Sequence, residues 1–387
     1  MVKAHPYTTL VLIVGLALRA ALVPLGYGDD FRVWDLASRY TLAGVNIYRD
    51  HPPYPGGPYT YFPLFLYAEL LPQWVSAHTG VPFTVLGKLL IVAGDLLTGA
   101  LLAHILARRG YRDAVVALGA ALYFLNPLVL YNGAFYGRFD ALCVGLLLLA
   151  LLVHDTDTSR PRRWAFPLLY ALAVATKTYP VFLLPWLLTR EPWGHRRLLL
   201  ALVAVLGGLS LPYLLTSPAR FVADVLLYNA NKLPSHLSWQ VLLLDALPPL
   251  AARIIGYVLL VLFVAALYCY RHLDLWTYAT VALLLFILLN KVVIEQYLLW
   301  PLPFLIVDTV RYRSWASGGL LVLLSGAGML VNPYVYPFGA SPAPVAVVLA
   351  VAILLYIRAR TQRQSNKSFG CVSFTLGRGP HPPTPSP

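Results

Sequence analysis

The sequence predicts an all-α, polytopic membrane protein, a bundle of about eleven or twelve transmembrane segments. Three observations predict it. Of 387 residues, 59% are hydrophobic and only 12% are charged, against roughly 25% charged in a soluble domain. Mean hydropathy is +0.69. Apolar runs of about 18 residues or more, each able to cross a hydrocarbon core about 30 Å thick, recur along nearly the whole chain.

The first run, roughly Tyr7 to Pro24, lacks a convincing small-residue cleavage site and is followed by further runs. It reads as a retained first span, not a signal peptide. Basic clusters at Arg108–Arg112, Arg160–Arg163, Arg190–Arg197, Arg311–Arg313 and Arg358–Lys367 mark inward loops, with Lys3 on the same side. That explains the net charge of +13 without a nucleic-acid partner. The polar loops at residues 25–80, 132–140, 216–250, 290–297 and 332–343 then face outward. Residues 165–189 would make one span, but the charge rule favours a broken pair of short helices turning near Lys177–Pro180, with irregular backbone shielded by protein or water. Residues 1–365 form a single transmembrane domain, and the Pro-rich, aperiodic segment 366–387 reads as a disordered tail. Three scattered cysteines and nine histidines give neither a disulfide framework nor a zinc spacing.

The first outward loop opens with "GDDFRVWD", two adjacent carboxylates in a chain that otherwise avoids charge. A short amphipathic helix is expected from Phe31 to Ala43, with Val33, Leu36, Ala37 and Tyr40 on one face, an Asp35–Arg39 pair on another, and Gly44 as its stop. It would lie on the membrane surface. One of Asp29 and Asp30 suffices to cap it, which leaves the other for chemistry. Tyr48, Tyr54, Tyr59 and Tyr61 follow, either an interfacial aromatic belt or a wall for sugar rings.

Further along, Arg138 and Asp140 stand where a span begins. Asp140 suits the positive end of a helix dipole, and Arg138 suits a phosphate. Lys177 sits between apolar stretches, where a lysine snorkels or faces protein, water or an anion. Asn290, Lys291, Glu295 and Gln296 interrupt another apolar run, with Lys291 and Glu295 spaced to neutralise each other. The loop 216–250 adds Lys232, His236, Trp239 and Gln240. These groups gather carboxylates and cations on one leaflet. Such a site suits a lipid-phosphate sugar: cations stabilise the departing phosphate, and a carboxylate takes the proton of an incoming hydroxyl. This chemistry does not demand a metal, although two adjacent carboxylates could hold a divalent ion.

Three patches, "GDDFRVWDLASRYTLAGVNIYRD…YTYFPLFLY", "FYGRFDALCVGLLLLALL…ALAVATKTYPVFLLPWLL" and "NKVVIEQYLLWPLPFL", resemble the GT-C superfamily of polytopic glycosyltransferases. The first and third are most similar to the catalytic subunit of glycosylphosphatidylinositol mannosyltransferase I. The second also resembles the mannosyltransferase-like group called GT87. The resemblance implies an inverting hexose transfer, mannose first, from a polyprenyl- or dolichyl-phosphate donor to a glycolipid or glycan hydroxyl. It places the catalytic base on Asp30 or Asp29, with Asp30 preferred because it directly precedes the Phe31 helix. Tyr59, Tyr61, Arg138, Asp140, Lys177, His236, Lys291 and Gln296 are the expected substrate-binding residues. No cofactor is firmly expected. The implied location is a prokaryotic cell membrane or the endoplasmic reticulum, with the site outside or lumenal. A transporter or flippase of a lipid-linked sugar and a non-catalytic scaffold are the alternatives.

Overall fold

Burying backbone in lipid requires helices or a closed barrel, and helices dominate the computed structural model. It describes residues 5–50, 52–54, 58–156, 164–190, 195–228, 232–331 and 342–375. Four of the described helices are long and apolar enough to cross a membrane: Phe83–Arg108, His195–Thr216, Pro249–His272 and Pro342–Gln362. The helices Asp113–Phe124 and Pro127–Phe135 are together long and apolar enough for another span but are bent by 48° at their junction, where Pro127 cannot continue the preceding helix. Pro6–Leu22, Ala165–Thr176, Leu275–Leu289 and Trp315–Leu330 are shorter apolar helices. The chain is an all-α polytopic membrane protein, and many of its expected spans are short or broken. The final helix backbone continues to Thr375; residues 376–387, and 332–341 of the expected last outward loop, lie outside the described residues.

The charges inside the bundle are neutralised by protein. Arg19 of the first helix donates to Asp95 at 2.8 Å and to the Phe124 carbonyl at 2.7 Å, with both side chains fully buried. This ion pair joins the first helix to Phe83–Arg108. At the end of the bundle carrying Arg109 and Arg311, Arg360 pairs with Asp308, which also accepts from Tyr356 at 2.9 Å and Ser317 at 2.6 Å. That cluster pins the last helix to its neighbours.

The segment 165–190 is broken as expected. A helix runs from Ala165 to Thr176, the chain turns at Lys177, and a 3-10 turn at Tyr179–Leu183 leads into Leu184–Arg190. Its two ends meet beside His154, whose ring lies 4.9 Å from Phe166 and 6.1 Å from Trp186. The segment is therefore a hairpin, with Lys177 near its tip.

The opposite end of the bundle carries the loop helix Asp29–Leu42. It differs from the expected surface helix in the face it buries. Phe31, Trp34, Ala37 and Ser38 are fully covered, whereas Val33, Leu36 and Tyr40 are only half-buried. The anchors are aromatic: Trp34 packs edge-on against Phe139 at 4.9 Å and Phe65 at 5.3 Å, and Phe31 lies 5.3 Å from Phe83. Burying each ring contributes roughly 1.5–3 kcal/mol, so the helix rests on protein, not on lipid. The expected Asp35–Arg39 pair forms at 2.8 Å, and Gly44 with φ +79° follows the helix. The neighbouring Pro63–Thr79 helix buries Glu69 completely, with neither oxygen bonded among the described residues. Burial, reinforced by Asp35, pushes its carboxyl well above the usual range.

Two further loops are joined by a short parallel pairing of Ser235–His236 with Val292–Val293. Trp239 donates to the Leu288 carbonyl at 2.7 Å and Gln240 to the Leu289 carbonyl at 3.0 Å. These contacts fasten the 232–241 segment to the end of the Leu275–Leu289 helix, beside the loop helix's cavity.

Candidate active site

The two carboxylates of the first loop are placed by its backbone. Gly28 is the N-cap of the loop helix, so Asp29 and Asp30 are its first two helical residues. Neither acts as the expected side-chain cap, although both sit where the helix dipole favours negative charge. Gly28 donates its amide to the Tyr136 carbonyl at 2.9 Å. A Cβ at Gly28 would fall 1.7 Å from the Tyr136 ring, so only glycine allows this approach. Lys88, buried in Phe83–Arg108, donates to the carbonyls of Val23, Gly26 and Phe135, at 2.9 Å and 2.7 Å for the first and last. One ammonium thereby clasps the end of the first helix to the segment that leads to Arg138.

Arg138 follows Gly137, whose φ of +86° provides the turn. Its guanidinium is only 7% exposed and holds three partners: Asp30 at 3.1 Å, Glu295 at 2.6 Å and the Asn132 side chain at 3.0 Å. Tyr136 covers its face at 4.3 Å. Glu295 is therefore the partner of Arg138, not of Lys291 as the spacing suggested. Arg138 uses one oxygen of Asp30, whose side chain stays 41% exposed. Asp29 points further into solvent, 68% exposed and 3.9 Å from Arg32.

Asp29 and Asp30 line a cavity of about 250 Å³. Tyr59 and Tyr61 form part of its wall, with Gln296, Tyr297 and Lys232 elsewhere around it. The Tyr48 hydroxyl holds the Tyr61 carbonyl at 2.6 Å. Burial raises the Tyr59 and Tyr61 hydroxyls well above their usual pKa, for Tyr61 with help from Asp30. Both tyrosines therefore stay neutral at physiological pH. The Oε1 of Gln296 is buried without a partner among the described residues, an unused acceptor at the cavity wall.

The floor is Lys177 and an aromatic stack. Tyr179 lies 3.9 Å from Trp300, nearly parallel, and Tyr297 lies 4.4 Å from Trp300. Lys177 pairs with Asp140 at 2.7 Å, and Trp300 donates to the same Asp140 oxygen at 2.6 Å. Asp140 thus holds the floor together beneath the cavity.

Lys232 is the cavity's other cation. It lies over the Tyr228 ring at 4.1 Å, and no ion pair joins it to a carboxylate among the described residues. Burial lowers its pKa, and Asp30 partly opposes that shift.

The structure thus brings Asp29, Asp30, Tyr59, Tyr61, Lys177 and Gln296 to one cavity, with Arg138 and Asp140 bonded directly behind Asp30 and Lys177. His236 and Lys291 lie outside its lining. His236 is exposed in the left-handed region at φ +58°, and Lys291 lines a separate groove. Sequence reasoning missed Lys88, the role of Glu295 and the Tyr179–Trp300 floor. A lone lysine in the apolar stretch "LGKLLIVAGD" was a readable signal for the first, since an intramembrane cation needs a partner. Among the described residues, no three His, Cys, Asp or Glu side chains gather as a metal-ligand set. Asp30 and Glu295 instead share Arg138.

Residues 54–190 match the family model of the alpha-(1→6)-mannopyranosyltransferase N-terminal domain. The chain is 27% identical to GPI mannosyltransferase 1 of Eremothecium gossypii over 337 residues, covering 80% of this chain and 79% of that one. It is equally similar to the catalytic subunit of GPI alpha-1,4-mannosyltransferase I of Danio rerio, over 78% of each chain. Its fold matches ArnT from Cupriavidus metallidurans bound to undecaprenyl phosphate with a TM-score of 0.55. That match covers 92% of this chain and 71% of ArnT at 17% identity. The chain is therefore a multi-pass membrane protein with the fold of ArnT, and a glycosyltransferase that resembles GPI mannosyltransferase I.

Proposed function

We propose that the protein transfers mannose from a polyprenyl- or dolichyl-phosphate donor to a hydroxyl of a glycolipid or glycan, with Asp30 as general base. The observation that carries this reading is the state of Asp30. Buried Arg138 orients it through one oxygen, and the carboxylate remains open to a cavity that also holds Lys232. The acceptor oxygen attacks the anomeric carbon while the bond from that carbon to the phosphate oxygen breaks. The phosphate leaves with the electron pair, and the acceptor proton passes to Asp30. Attack opposite the leaving group inverts the configuration. Lys232 meets the charge that grows on the departing phosphate. Tyr59, Tyr61 and Gln296 orient the sugar, and the basic clusters at the other end of the bundle turn this cavity outward or lumenal.

Radiolabelled mannose presented as polyprenyl-phosphate mannose to purified protein and membrane lipids tests the reading. Asp30→Asn should lower transfer by about 10²–10⁴, with folding and donor binding retained, while Asp29→Asn stays close to wild type. Full turnover in Asp30→Asn would remove the assignment.

A further inference from the structure

A second space opens beside the catalytic cavity, and the transfer chemistry does not use it. It is a groove of about 230 Å³ between the Pro249–Cys269 and Leu275–Leu289 helices. Gly256, Leu260 and Phe263 line it at i, i+4 and i+7, a single helical stripe about 10 Å long. Phe182, Phe263 and Phe286 close its deep end, with Phe182 4.9 Å from Phe263 and 4.8 Å from Phe286. Asn290 and Lys291 stand at its mouth, on the cavity side of the bundle.

The groove is thus apolar at depth and cationic at the mouth, in the order of a lipid with a buried chain and an anionic headgroup. The wall between groove and cavity is thin. The Phe286 ring faces the groove and lies 5.6 Å from both Tyr297 and Trp300, which line the cavity. Consecutive residues divide in the same way, Val225 lining the cavity and Leu226 the groove.

Two lipids take part in the proposed reaction, and their chemistry separates them. The donor phosphate is bonded to the anomeric carbon, so it must share a chamber with Asp30, where Lys232 waits. In an acceptor lipid the attacking hydroxyl sits on a headgroup polyol, several bonds beyond its own phosphate. Its phosphate can therefore rest on the far side of the Phe286–Tyr297 wall.

Resting on the transfer reading, we propose that this groove binds the lipid anchor of the acceptor, a glycolipid with a phosphodiester headgroup. Lys291 holds the phosphodiester, and the chain lies along Gly256, Leu260 and Phe263.

The test uses the full chain in phosphatidylcholine nanodiscs containing dilute phosphatidylinositol with a photoactivatable group at an acyl-chain end. Labelling should map to the Phe182, Phe263 and Phe286 peptides. Unlabelled phosphatidylinositol should compete, and polyprenyl phosphate should not. Labelling should fall roughly fivefold or more in Lys291→Gln, which loses a charge-assisted contact. It should also fall in Gly256→Leu, which narrows the mouth, and persist in Lys291→Arg. Unchanged thermal midpoints show that these variants fold. Competition by polyprenyl phosphate alone would assign the groove to the carrier chain and overturn the proposal. Equal labelling by photoactivatable phosphatidylcholine, or wild-type labelling of Lys291→Gln, would also overturn it. Failure of the transfer reading is separable, because it would appear as absent mannose transfer with selective labelling intact.

Discussion

Removing Arg138 separates what this residue does for the fold from what it does for the reaction. Its guanidinium, 7% exposed, holds Glu295 at 2.6 Å and Asp30 at 3.1 Å, and those carboxylates are 12% and 41% exposed. Arg138→Gln strands both. Breaking a buried ion pair costs about 3–5 kcal/mol, because the surviving charge stays desolvated. Most of that cost falls on Glu295; Asp30 is open enough for water to replace its partner. Arg138→Gln should therefore unfold several degrees earlier in detergent and transfer mannose at least 10²-fold more slowly, the scale of a misplaced general base. In Arg138→Gln with Glu295→Gln, the stranded carboxylate is gone, so stability should largely return. Activity should not, since Asp30 still lacks its anchor. A double-mutant cycle of thermal midpoints and single-turnover rates reads both quantities from the same preparations. If activity returns together with stability, the positioning argument is refuted and Arg138 serves the fold alone.

Two further outcomes follow from the titration of buried groups. Lys232 binds phosphate only when charged. Its charge is complete below its folded pKa and lost as pH rises through it. Because burial depresses that pKa, the alkaline limb of donor affinity should lie below the ordinary lysine value; Lys232→Arg should move it upward, and an unmoved limb would exclude Lys232. Glu69 runs the other way, since its folded pKa is raised. Its contribution to stability is complete below the ordinary glutamate value and declines by about 1.4 kcal/mol per pH unit above it, until the pH passes the folded value. Glu69→Gln should flatten thermal stability across that window, and an unchanged slope would show that the carboxyl is not buried neutral.

Much of this arrangement was legible in the sequence, and the misses share a cause. Charges that interrupt apolar runs had to matter, so Asp30, Arg138, Asp140 and Lys177 could be singled out without a structure. The break at Lys177–Pro180 was readable because the basic residues on both sides demanded a return. The partners were not readable. Glu295 lies four residues from Lys291, a helical spacing, yet the segment folds as a 3-10 turn after a short strand, which sends the carboxylate to Arg138, 157 residues away in sequence. The buried face of the loop helix was misjudged for a related reason. Phe31 and Trp34 follow aromatic rings on distant helices, and local periodicity carries no record of those rings.

The hairpin that ends at Lys177 has a consequence for where the chemistry occurs. Its first arm, Ala165–Thr176, has 12 residues and rises only about 18 Å, whereas the hydrocarbon core is about 30 Å thick. With that arm starting at the inner interface and standing along the membrane normal, the Lys177–Trp300 floor would lie about 12 Å beneath the plane where lipid oil meets water on the cavity side. A sugar resting on that floor would sit below the level of the surrounding phosphates, so its carrier must bend to let the headgroup sink. A long unsaturated stem can fold into the bilayer to follow it down. A nucleotide sugar, tethered to nothing, would have to abandon water unaided.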